Sequence, residues 1–123
     1  MSDLQFENIS DLLLEQIPEL KPVYEAKEQF SGKRFGPHVV YGDILNPVLV
    51  QLIESRDNDD LLARMFRFLE LLATKGTRDV QDVVRVTVCE YLGKNQRWLT
   101  VAREFMGPQT LDLSEQIQRQ WGL

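Results

Sequence analysis

Residues 58–76 read NDDLLARMFRFLELLATKG, and the reading of this stretch decides the fold. Leu61, Leu62, Met65, Phe66, Phe68, Leu69, Leu71 and Leu72 crowd into it, leaving Arg64, Arg67 and Glu70 as a polar stripe at three-residue spacing. A helix apolar over so much of its circumference needs neighbours on at least two sides. Asn58, Asp59 and Asp60 can cap free amides and sit at the positive end of the helix dipole. Lys75 and Gly76 close the segment, with Gly76 expected to be a left-handed C-terminal residue. The pattern predicts a core helix from Leu61 to Thr74.

Working outward, Arg78 to Leu92 admits two readings. Val84, Val86 and Val88 alternate with Arg85 and Thr87, a strand-like period of two. Val80, Val83, Val84, Thr87, Val88, Tyr91 and Leu92 instead recur three and four apart, as on a helix. Thr77 as a cap, Asp79 in the first turn and Gly93 as a terminator favour the helix. The propensity cost of valine, at most ~0.7 kcal/mol per residue, is small against packing on a core helix. On the other side, Asn46-Pro47 reads as a cap followed by proline at the first helical position, with Val48, Leu49, Leu52 and Ile53 as the buried stripe. The short connections at Ser55 to Asn58 and Lys75 to Thr77 make these three helices antiparallel neighbours.

A chain of 123 residues, 43% of them hydrophobic, is long enough for one domain with its own core. Its single cysteine, Cys89, has no intrachain partner, which fits a reducing compartment. The first residues are polar and acidic, unlike a signal peptide, and no apolar run approaches the ~20 residues of a membrane span. These features predict a cytoplasmic protein without a membrane partner. The net charge of −5, from 19 acids and 14 bases, disfavours nucleic acid as a partner and suits a basic protein.

Asp3, Glu7, Asp11, Glu15 and Glu19 recur every four residues before any base appears. On a helix they form one acidic stripe, either a docking face for a cationic partner or a solvated surface. Leu12, Leu13, Ile17 and Leu20 supply the apolar side, and a helix is expected from about Asp11 to Gln16, capped by Ser10 and ended near Pro18. A second helix follows, with Pro22 in its first turn, through Tyr24, Ala26, Lys27 and Phe30 to Gly32. Ser31 to Gly36 is a basic loop without the spacing of a phosphate-binding loop. Val39, Val40, Tyr41, Ile44 and Leu45 form either a short separate helix or one joined to the Pro47 helix through a kink. His38, the only histidine, reads as a cap or surface ring. Beyond the turn at Lys94 to Gln96, Trp98, Leu99, Ala102, Phe105 and Met106 share a helical face. Gly107-Pro108 separates this from a last helix bearing Leu113, Ile117 and Trp121, with Trp121 expected to pin the chain end.

The run from Leu49 through Ile53, Glu54, Asp57, Asp59 and Leu61, continued by Arg64, Phe66, Phe68, Leu69, Leu72, Asp79 and Val83, resembles HEAT-like helical repeats. That resemblance implies stacked antiparallel helix pairs presenting a binding surface. A longer pattern is similar to a family of small bacterial proteins. It comprises Tyr41-Gly42-Asp43-Ile44-Leu45-Asn46-Pro47, Phe66-x-Phe68-Leu69-Glu70-x-x-Ala73, Val80-Gln81-Asp82-Val83-Val84 and Phe105-Met106-Gly107-Pro108-x-Thr110. Families of this kind look like immunity proteins, which would imply binding of a toxin in the cytosol.

The expectation is therefore an all-α single domain of six to seven helices in antiparallel pairs, either HEAT-like or an irregular bundle. No catalytic, metal or cofactor motif stands out, and carboxylate metal sites in bundles need Glu-x-x-His pairs, which this chain lacks. The expected function is a non-catalytic binding module: an immunity protein covering the cationic groove of a basic toxin or nuclease, such as a contact-dependent growth inhibition RNase. The candidate contacts are Glu54, Asp57, Asp59 and Asp60 around one loop, with Asp11, Glu15 and Glu19 from the N-terminal stripe. The competing expectation is a HEAT-like adaptor or a homo-oligomeric scaffold.

Overall fold

Asn58 opens the core helix as its position suggests: its Oδ1 accepts the amide of Leu61 at 3.1 Å, and the helix runs over Asp59–Lys75. The computed structural model describes residues 4–31 and 35–120. Within them the chain forms α1 (Ile9–Gln16), α2 (Lys21–Ser31), α3 (37–55), α4 (Asp59–Lys75), α5 (78–93), α6 (Gln96–Phe105) and α7 (Pro108–Gln120). Short 3₁₀ turns at Phe6–Asn8 and Pro18–Leu20 lead into α1 and α2. The described residues include no strand, so the chain is a single all-α domain.

The apolar pattern of α4 predicts its burial well. Leu62, Met65, Phe66, Leu69 and Leu72 are fully enclosed, and Leu61 and Phe68 nearly so. Each such side chain contributes ~1.5–3 kcal/mol relative to an exposed one. Leu71 is the exception at 42% exposure, because it shares the polar stripe with Arg67 and Lys75 four residues to either side. The segment 78–93 is helical, which resolves its ambiguity: Val80, Val83, Val84, Val88 and Leu92 are buried, and Val86 faces outward.

Two helices are wound wide at their centres. α3 passes through a π-helical segment at Tyr41–Leu45, with the amide of Asn46 bonded to the carbonyl of Tyr41, five residues back. α5 does the same at Val83–Cys89, where the amide of Glu90 reaches the carbonyl of Arg85. The first segment joins the 37–40 turn to the Pro47 helix without a break. Pro47 follows the last π bond directly, so its missing N–H falls where the α ladder is already interrupted. Asn46 is thus not a cap; it is buried mid-helix, and its Nδ2 donates to the carbonyl of Thr87 at 3.0 Å.

The two wide segments pack against each other. Thr87 is their meeting point: besides the Asn46 bond, its hydroxyl lies 2.6 Å from Nδ1 of His38, and its methyl faces Gly42. One turn along, the buried Tyr41 hydroxyl donates to the carbonyl of Ile9 at 2.9 Å and fastens α1 to α3.

Three further local expectations need correction. Ser10 lies inside α1, which begins at Ile9 and has no side-chain cap. Gly76 adopts an extended conformation (φ −76°, ψ 159°), and its lack of a side chain serves a close approach to Leu72 and Val80. Thr77 holds the N-cap position as expected, but its hydroxyl bonds the Asp79 carboxylate, and it is Asp79 that accepts a first-turn amide, that of Val80. The basic residues Lys33 and Arg34 and the expected anchor Trp121 lie outside the described residues.

α7 closes the bundle. It lies across the wide segment of α5 and along α4, and α6 touches α3, α4 and α5. The described helices form one all-α bundle, and the last of them packs back on α4 and α5. Its start is set by Glu70 of α4, whose carboxylate accepts the amides of Gln109 and Thr110 at 3.0 and 2.8 Å and the Thr110 hydroxyl at 2.9 Å. A carboxylate taking the free amides of a helix N-terminus is a capping interaction supplied from another helix.

Candidate partner-binding face

The seven carboxylates that the sequence points to separate into two groups. The first surrounds the turn between α3 and α4. Arg56 there holds a left-handed backbone (φ 54°), ending α3 through its amide bond to Leu52 at 2.9 Å. Its guanidinium donates twice to Asp59, at 3.2 and 3.0 Å, and lies 3.9 Å from Glu104 and 5.8 Å above the Phe105 ring. Hydrogen bonding from Arg56 holds the Asp59 carboxyl below the usual range. Asp57 accepts the Ser55 hydroxyl at 2.8 Å. Glu54 accepts the Trp98 indole N–H at 3.0 Å, and that indole stacks on Tyr91 at 5.6 Å. Glu54, through Trp98, and Arg56, through Glu104 and Phe105, therefore tie α6 to the α3–α4 turn, while Asp59 is held by Arg56.

The second group lies on α1, on the turn after it and on the first turn of α4. Asp11 and Glu15 line a shallow cleft of about 280 Å³ with Asn8 and Leu12. Glu19, just past the Pro18 break, is gripped by Arg64 through paired bonds of 2.8 and 2.9 Å. That hydrogen bonding is the main reason its carboxyl is held below the ordinary value. Asp60 precedes Arg64 by one turn on the same face of α4. Glu19 is thus tied to α4 one turn from Asp60, while Asp60 and Glu15 are exposed and have no ion pair among the described residues.

Sequence reasoning missed what adjoins these acids. Arg67, Leu71 and Lys75 run along the outside of α4 at four-residue spacing, and all three are exposed. Arg67 and Leu71 border two clefts. One, about 310 Å³, opens toward Gln16 and Ile17. The other, about 410 Å³ and mostly apolar, has Phe66 and Phe105 in its wall and Thr74 and Lys75 at its edge. The signal was present in the sequence, since a leucine flanked by cations at i−4 and i+4 lies on the polar stripe.

A family model described as a domain of unknown function, DUF7674, matches residues 10–122. The chain belongs to the DUF7674 family. In this DUF7674 domain the match takes in all seven carboxylates, the ridge at 67–75 and the Glu70–Thr110 closure. Comparison of the chain with curated proteins and with solved structures gave no match. The DUF7674 description names no activity, toxin or partner. Among the described residues, no helix is long and apolar enough to cross a membrane.

Proposed function

We propose that this DUF7674 domain is a non-catalytic protein-binding module whose acidic residues receive a basic partner. In its most concrete form it is a cytoplasmic immunity protein that neutralises a bacterial toxin, a nuclease or RNase of contact-dependent growth inhibition, by covering the toxin's cationic groove. The observation that carries this reading is the placement of these acids. Glu19 is clamped to Arg64, one turn from Asp60 on α4, and Asp11 and Glu15 share one exposed strip of α1 a few residues before it.

Nuclease grooves are cationic because they hold a polyanion, so a fixed group of carboxylates can occupy the same field and speed association. The arginine grip on Glu19 holds its carboxylate in place before a partner arrives, lowering the ordering cost of binding. The chain's usual nucleophile and base are both engaged, which supports the non-catalytic part. Cys89 is enclosed with its thiol pushed up to about 12 by burial, and Nδ1 of His38 is taken by Thr87.

The test is a pull-down of the full chain from cells expressing its neighbouring reading frames, at low and moderate salt, beside Asp60→Lys/Glu15→Lys. A stoichiometric basic partner, lost on raising salt and on charge reversal while the melting temperature holds, supports the reading. A partner that is neutral or acidic, or one captured equally by the reversed variant, overturns it. Gel filtration of the isolated chain reads the alternative, a homo-oligomeric scaffold.

A further inference from the structure

We infer that the outer face of α4 is a second docking surface, and that its occupant is an acidic helical segment of a partner protein carrying a leucine or phenylalanine between its carboxylates. This does not rest on the toxin reading, because the residues and the sign of their charge are different.

Three observations carry it. Arg67 and Lys75 are exposed and have no ion pair among the described residues, a state they share with Lys21, Arg78, Lys94 and Arg97, but of these cations only they flank an exposed leucine on one helix face. The two cations stand eight residues apart on one face, about 12 Å along the axis, which matches carboxylates two turns apart on a facing helix. Between them Leu71 is 42% exposed, beside the mostly apolar cleft of about 410 Å³ walled by Phe66 and Phe105, in whose lining the Glu70 carboxylate is already taken by the start of α7. That volume accommodates a large apolar side chain. The rings forming the wall are stacked at 6.3 Å, so the cleft is preformed.

The charge pattern chooses the occupant. A second copy of this chain would bring Arg67 and Lys75 against themselves across a two-fold axis, whereas an acidic amphipathic helix satisfies both cations and fills the cleft. Lys and Arg stems also cover apolar area, which suits them to the edge of such a groove.

The experiment is an NMR titration of the labelled full chain with two synthetic helical peptides, one bearing Glu, Leu and Glu at i, i+4 and i+8, the other Lys, Leu and Lys. The Glu peptide is expected to bind in a salt-sensitive manner, with shifts gathered at Arg67, Leu71, Thr74, Lys75 and Phe105. Arg67→Glu/Lys75→Glu should weaken it at least tenfold and gain affinity for the Lys peptide, and Leu71→Asp should lose both. All three sites are exposed, so circular dichroism should remain that of the parent. No shifts at millimolar peptide, shifts centred elsewhere, or binding indifferent to charge reversal overturn the inference. So does self-association of the parent that Leu71→Asp abolishes, which would assign the face to a second copy. Loss of the basic partner in the pull-down leaves this surface standing, and failure here leaves the acidic group standing.

Discussion

Glu70 and Thr110 stand forty residues apart in sequence, and the carboxylate of the first accepts both the amide and the hydroxyl of the second, at 2.8 and 2.9 Å. Burial by itself would raise the Glu70 carboxyl. The hydrogen bonds from Thr110, Gln109 and Thr74 outweigh it and hold the group below its ordinary value. A folded-state value below the unfolded one contributes stability above the unfolded carboxylate range, near pH ~4.3, and loses it as pH falls through the folded value. Glu70→Ala should therefore cost about 1–3 kcal/mol near neutrality, as for a lost cap that leaves the part-buried Thr110 amide open. Glu70→Gln should flatten the acid limb of stability against pH. Glu19 and Asp59 have the same sign, so the limb keeps part of its slope. Urea melts between pH 3 and 7 read both effects, and an unaltered acid limb in Glu70→Gln would refute the assignment.

Gly107 leaves room for that cap. A Cβ there would stand 2.4 Å from Cδ of Glu70. Gly107→Ala must push the carboxylate off the helix start, at a cost of about 1–3 kcal/mol. With Glu70→Ala already in place most of that cost should vanish, giving a coupling of at least ~0.5 kcal/mol in a double-mutant cycle. Strict additivity would mean that the two residues act separately.

Two other glycines should respond in opposite directions. A Cβ on Gly76 would meet Cγ1 of Val80 at 2.4 Å and the backbone oxygen of Leu72 at 2.5 Å. Backbone cannot rotate away, so Gly76→Ala should destabilise by about 1–3 kcal/mol although its dihedrals suit alanine. At Gly42 the nearest atom is the Thr87 methyl, 3.4 Å away, an ordinary contact. Gly42→Ala should be neutral or stabilising by up to ~1 kcal/mol, since it lies within a helix. Thermal melts of the two variants, compared with the parent, decide the matter.

Cys89 is enclosed, with its thiol pushed up to about 12 by burial. The native chain at pH 8 should resist alkylation for as long as it stays folded, because the thiolate is the reactive form. Labelling followed by mass spectrometry across a urea series should track unfolding. Fast labelling without urea would place the thiol at the surface.

What the sequence reveals here is periodicity within an element. Leu62, Met65 and Leu69 are legible as core because their spacing matches one helix face, and Asn58 as a cap because its partner is three residues away. Asn46 misleads for the complementary reason. Asn-Pro is a local cap signal, but the bond that matters reaches Thr87, forty-one residues on. Glu70 looks like a solvated stripe residue until the start of α7 is laid beside it. The acids divide in the same manner: Asp57 finds a partner within two residues, whereas Glu54 and Glu19 find theirs more than forty away. The π winding at 83–89 is hidden too, and the alternation of Val84, Val86 and Val88 has no structural counterpart, since Val86 is exposed while the other two are enclosed.

The wide turns also fix the rotational phase of α3 and α5. Removing one residue from 41–45 would rewind that stretch as an α-helix and turn everything before it by about 100°. The Tyr41 hydroxyl would then leave Ile9, and His38 would leave Thr87. A deletion within 83–89 would carry the surface beneath α7 round by the same angle. The extra residue in each turn therefore works as an angular offset, indexing the start of the chain to one side of the bundle and its last helix to another. Single-residue deletions in these two segments should be far more damaging than alanine substitutions at the same positions, and a compensating insertion within the same turn should restore the fold.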